Sequence, residues 1–122
     1  MKDLTPLGLR CLVEPDRERV VVRPIGEIDL ATVGLVEAPL RELWASGFDA
    51  VVLDLREVPF MDSTGLRLVI HETRLAEQDG KALRVEIAEG GAVHRLLEVT
   101  GMLDHLPVTV IGPGSLNTVE PG

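Results

Sequence analysis

Aromatic side chains are almost missing from this chain of 122 residues: Tyr is absent, there is one Trp, and two Phe complete the set. So few rings leave no platform on which bases or sugars would stack. Cations are scarce too, with 12 Lys and Arg against 20 Asp and Glu for a net charge of -8, and they form no basic stripe. Nucleic acid is therefore not an expected partner. Cys11 is the single cysteine; it cannot close an internal disulfide and reads as a small buried apolar residue. Three His with no HExxH, no CxxC and no carboxylate cluster at ligand spacing give no metal site, and no cofactor is expected. The apolar runs are too short to cross a bilayer, so no direct membrane insertion is expected. The opening Met1-Lys2-Asp3-Leu4-Thr5-Pro6 lacks an apolar stretch with a cleavage site, which makes the cytoplasm the expected location.

What is present suits a folded domain: 45% hydrophobic and 26% charged residues, enough to bury about two-thirds of the unfolded chain's surface. Residues 1–112 read as one domain and 113–122 as a tail poor in apolar residues. Strand-like runs at 7–13 (LGLRCLV) and 20–25 (VVVRPI), separated by the polar turn Glu14-Pro15-Asp16-Arg17, predict a hairpin. Pro24 has no N–H to donate and belongs near the end of its strand. Asp29 is placed to cap a helix over 30–45, which Pro39 should kink or split. A buried strand at 50–55 (AVVLDL) follows, then a helical pattern over 66–78, a half-exposed strand at 82–88 (ALRVEIA), a short helix at 92–99 and a last strand at 108–111. A hairpin followed by alternating helices and strands predicts an α/β domain: a mixed, mostly parallel sheet of four to five strands with helices packed mainly on one face.

Parallel strands bring their following loops to one edge. Glu27 and Asp29, then Asp62 to Gly65, then residues 89–91 should converge there, around Ser63. Asp62-Ser63-Thr64 caps the helix that follows, and the unpaired N–H groups and positive dipole of its first turn favour an anionic group on Ser63, a phosphate above all. A plain cap is the competing reading. Gly65 argues for more, because a residue without a side chain beside a hydroxyl suits close approach by another protein's backbone. Of the two residues before the motif, Phe60 is the better candidate to pack beneath the loop, while Met61 is more apt to leave apolar surface beside the hydroxyl. Hydrolysis by Ser63 has little support: no GxSxG elbow surrounds it, and His71 stands roughly 12 Å along the helix. Neither GxxxxGK nor GxGxxG occurs, so nucleotide hydrolysis is not predicted.

Four segments, Gly26-Glu27-Ile28-Asp29, Val51-Val52-Leu53-Asp54-Leu55, Phe60-Met61-Asp62-Ser63-Thr64-Gly65-Leu66 and the stretch from Val93 to Met102, resemble in order and content the anti-sigma-factor antagonists of the STAS domain family. The resemblance spans about residues 7–111. It implies a STAS-like fold and a regulatory protein that is not an enzyme. It implies phosphorylation of Ser63 by a serine kinase that is itself the anti-sigma factor, and removal of the phosphate by a PP2C-type phosphatase. The unmodified protein would bind the kinase and release a sigma factor for transcription. Asp29, Asp62, Thr64 and Gly65 would belong to the partner-binding surface, with Asp29 beside the acceptor and the segment from Gly91 contributing. Thr64 is an alternative acceptor. The tail lacks the helix formers of the last helix many relatives carry. A second reading of the same resemblance is a STAS subunit of a membrane transport system, lipid or anion, acting as a binding module without enzymatic activity.

Overall fold

The computed structural model describes residues 8–16 and 19–113. β1 (Leu9–Asp16) and β2 (Arg19–Gly26) form the antiparallel hairpin, with Leu9 opposite Gly26 and Asp16 opposite Arg19. β1 runs on through Pro15 and Asp16, where a turn was expected; β1 is an edge strand, so the donor Pro15 lacks is not needed there. Leu7, Arg17 and the tail beyond Pro113 lie outside the described residues.

β3 (Ala50–Asp54), β4 (Ala82–Ala88) and β5 (Val108–Ile111) add parallel to β2, giving the strand order β1-β2-β3-β4-β5. The ladder between β2 and β3 covers only Val20 to Val22. Pro24, two residues beyond, has no N–H to extend it. Since the order never reverses, right-handed crossovers put α1 (Val33–Ala45), α2 (Ser63–Gln78) and α3 (Ala92–Val99) on one face. A single core follows from this: Val22, Val51, Leu53, Val85 and Ile87 of the sheet pack with Val36, Leu40, Leu68, Val69, Val93 and Leu97 of the helices. The other face of the sheet carries no helix and presents Arg10, Arg23, Arg84 and Glu86 around the buried Val52 and Asp54.

Two expectations for α1 are corrected, its first residue and a split at Pro39. It begins at Val33, not at residue 30, because Asp29 and Thr32 first close a separate turn. It also runs unbroken through Pro39. The carbonyl that Pro39 orphans belongs to Leu35, an exposed residue within reach of water, so the loss does not split the helix.

α1 and α2 are joined by a buried carboxylate. Glu72, fully buried, accepts hydrogen bonds from Trp44 Nε1 at 3.1 Å and Arg41 Nε at 3.4 Å. Replacing Glu72 with Ala leaves the indole N–H unpaired and opens a cavity, and should cost about 2–4 kcal/mol. Thermal or urea denaturation followed by the emission of Trp44 will measure it; a loss below about 0.5 kcal/mol would show that the carboxylate is not a structural pin.

Candidate functional site

β3 ends at Asp54, and the chain takes eight residues to reach α2. Backbone hydrogen bonds fix this loop against the extension of β2: Gly26 N–H to Glu57 O at 3.3 Å, Ile28 N–H to Phe60 O at 3.0 Å, and Asp62 N–H to Ile28 O at 3.2 Å. Ile28 and Met61 thereby form a parallel bridge, and the residues that follow them, Asp29 and Asp62, stand at the same level of the sheet edge. Two of the three converging segments are thus joined. Residues 89–91 flank them at a distance: Gly91, Ala92 and Val93 share a cleft of about 410 Å³ with Leu55 to Pro59, and Ser63 is not among its walls. Gly90 is held by the following helix, its N–H donating to His94 Nδ1 at 2.8 Å and its carbonyl accepting from Arg95.

Ser63 is the first residue of α2, which starts three residues before its apolar periodicity. It is exposed, and among the described residues its hydroxyl has no hydrogen-bond partner. Asp62 is the N-cap: its Oδ1 accepts from Thr64 N–H at 2.8 Å and its carbonyl from Leu66 N–H at 3.2 Å. Thr64 is half-buried and faces a groove of about 220 Å³ between α1 and α2, with Val33, Glu37, Arg67 and His71. Ser63 is therefore the more accessible hydroxyl. The carboxylate of Asp29 is used within its own turn, accepting from Ala31 N–H at 3.0 Å and Thr32 N–H at 3.1 Å, while the Thr32 hydroxyl donates to Glu27 O at 2.8 Å.

Gly65 serves the interior. It is buried, and a Cβ built on it would lie 2.7 Å from Met61 Sδ, 3.0 Å from Ile28 Cγ2 and closer still to Met61 Cγ. The close approach it permits is by Met61 and Ile28 of the same chain. This also reverses the expectation for the preceding pair. Met61 is 4% exposed because its pairing with Ile28 turns it inward, and the strand period of two then turns Phe60 outward, to 46%.

Sequence reasoning missed the group that anchors the loop. Asp54 is 1% exposed although it points to the face without helices. Its oxygens accept from the Nε and Nη2 of Arg56, from Arg56 N–H and from Arg23 Nε, each at 3.0 Å. Arg23 also pairs with Glu14 at 2.9 Å. Burial pushes the Asp54 carboxyl up, but the side-chain and backbone hydrogen bonds of Arg56, with those of Arg23, outweigh it and hold it below its ordinary 3.8. The signal was a charge inside the apolar run AVVLDL followed two residues later by Arg.

The model of the STAS domain matches residues 12–111. The chain belongs to the STAS domain family. The anti-sigma F factor antagonist of Paenibacillus polymyxa is 30% identical to it over 103 residues, covering 84% of this chain and 87% of that one. An anti-sigma-B factor antagonist of Staphylococcus aureus is 32% identical over 83 residues, covering 68% and 76%. The crystal structure of an anti-sigma factor antagonist from Mycobacterium paratuberculosis superposes with a TM-score of 0.76 at 27% identity, covering 93% of this chain and 96% of that one. These matches place the STAS fold and the family on the same residues that carry the edge just described.

Two outcomes test this geometry. Gly65→Ala should destabilise the STAS domain by about 1–3 kcal/mol despite the better helix propensity of Ala. Gly34→Ala in α1, where a Cβ meets open space, should instead stabilise by about 0.5–1 kcal/mol. Equal shifts in the two melting curves would show that Gly65 is not packed as described. Asp54→Asn should cost about 2–3 kcal/mol at neutral pH. A carboxyl held below its unfolded value contributes stability that is present above about pH 4 and lost as pH falls through the folded value. The gap between wild type and Asp54→Asn should therefore shrink on acidification from pH 6 to pH 3, and a gap constant across that range in chemical denaturation would contradict the clamp.

Proposed function

We propose that this chain is an anti-sigma factor antagonist switched by phosphorylation of Ser63. Unphosphorylated, it binds an anti-sigma factor with serine kinase activity in the cytoplasm, and a sigma factor is set free for transcription. The observation that carries this reading is an exposed hydroxyl with no partner among the described residues at the first position of α2, held on a hydrogen-bonded edge, in a family member whose relatives are antagonists of anti-sigma factors. Those relatives lend the transport-subunit reading no support.

The chemistry is a phosphoryl transfer in which this chain is substrate. Ser63 Oγ attacks the γ-phosphorus of ATP on the kinase, the bond to ADP breaks, and the hydroxyl proton passes to a base of the kinase. The product carries roughly 1.5 to 2 added negative charges beside Asp62, with Asp29 level on the neighbouring segment. The first turn of α2, worth about half a positive charge, accommodates the group within the domain, so the fold need not change. The cost falls on the complex. A doubly charged group inside a fitted interface must be desolvated, and a penalty of about 3 kcal/mol is already more than a hundredfold in affinity. A PP2C-type phosphatase restores the binding form. Asp29, Asp62 and Thr64 contribute to the contact directly, and Gly65 by letting Ile28 and Met61 seat the loop.

The test is to incubate the protein with ATP and the purified kinase-type anti-sigma factors of its own organism, then map the phosphate by mass spectrometry. Wild type and Thr64→Ala should each gain one phosphate on Ser63 and lose at least about a hundredfold in affinity for the kinase. Ser63→Ala should bind and stay bound in ATP. Release of Ser63→Ala by ATP as readily as wild type would overturn the reading.

A further inference from the structure

The edge around Ser63 displays apolar surface that the fold does not require. Leu30 is 80% exposed in the turn after Asp29, where the hydrogen bonds of Asp29 and Thr32 hold the backbone and any polar side chain would serve as well. Phe60, one of three aromatic rings in the chain, is 46% exposed two residues before Asp62. The bond from Ile28 N–H to Phe60 O brings the two segments side by side. Around this pair the charge is mostly negative. Residues 26–32 and 55–64 carry Glu27, Asp29, Glu57 and Asp62 against one cation, Arg56, whose guanidinium is taken by Asp54.

We infer that Leu30 and Phe60 are the anchors by which this edge docks into an apolar pocket rimmed by Lys and Arg on the kinase partner. The inference rests on the partner reading above and adds the chemistry of the surface the partner must present. Two large apolar groups on segments rich in carboxylates match a desolvated hot spot with a charged rim, and opposite charge on the partner is the complement that speeds and orients encounter. Attraction at the rim does not conflict with release on phosphorylation. For transfer to occur Ser63 Oγ must face the nucleotide phosphates of the kinase, so phosphoserine meets anions at that point while the rim lies to the side.

The test uses each kinase-type anti-sigma factor of the organism, purified and titrated with the full-length protein without ATP. Leu30→Ser and Phe60→Ser should each weaken binding of the partner at least about tenfold, Leu30→Ser melting as wild type does and Phe60→Ser remaining folded with a small loss in melting temperature from its half-buried ring. Phe48→Ser changes another exposed ring, 39% exposed, in the loop before β3 at the opposite edge of the sheet, and should leave affinity unchanged. Glu27→Gln with Glu57→Gln should slow association and flatten its dependence on salt. If a kinase binds wild type and both anchor variants equally, the anchor surface falls and the phosphorylation switch stands. If no kinase binds wild type, the partner reading falls and takes the anchors with it. Loss of binding in the anchor variants with no effect of Ser63 phosphorylation would keep the surface and discard the switch.

Discussion

Three backbone hydrogen bonds between residues 26–28 and residues 57–62 are what the edge around Ser63 depends on. They prolong the pairing of β2 beyond the point where Pro24 ends its ladder with β3, and so carry sheet-like order into the segment that leads to α2. A free loop of that length would sample many conformations, and each ordered residue would cost roughly 1–2 kcal/mol of entropy on binding. Here that cost is met during folding. The bridge of Ile28 to Met61 also decides which side chains serve the core and which the surface, since an inward Met61 obliges Phe60 to face out.

Packing and electrostatics tie the same loop down at its two ends. At one end Gly65 lets Met61 and Ile28 close onto the first turn of α2; at the other Asp54 holds Arg56 through its side chain and backbone. An ion pair so well hydrogen-bonded is not a source of large net stability, because the desolvation of Asp54 offsets most of the attraction. What it supplies is geometry. The carboxylate is satisfied with the loop turned so that the guanidinium of Arg56 folds back toward β3.

Much of the fold was legible from residue patterns. The strands at 50–54, 82–88 and 108–111, the helix at 92–99 and the mostly parallel topology follow from apolar runs and their periods, which burial rewards wherever they occur. Boundaries were harder where local hydrogen bonding competes with periodicity. Asp29 has the chemistry of an N-cap, but Thr32 captures it in a separate turn, which no pattern of apolar residues records. Pro39 was overweighted because the penalty for a proline assumes that the orphaned carbonyl is dry. At the site, the position of Ser63 was legible from Asp-Ser-Thr beside a strand. The inward role of Gly65 and the outward turn of Phe60 were not, because both depend on a bridge between residues 33 apart in the chain.

The position of Ser63 gives a physical reason why the proposed phosphorylation would leave the domain itself intact. Within the first turn of α2, Asp62 Oδ1 already takes the Thr64 N–H, so a phosphate on Ser63 would join a carboxylate engaged as the helix cap. The added repulsion is moderated by water on one side and by the helix terminus on the other, and neither requires the backbone to move. A docked partner removes the water. A phosphate there would then be left with the helix end and two carboxylates in a medium of much lower dielectric, where each interaction is several times stronger. On the proposed reading, a surface that would tolerate the phosphate when bare and reject it when covered needs no second conformation of its own, only a rigid edge that presents the hydroxyl in one place.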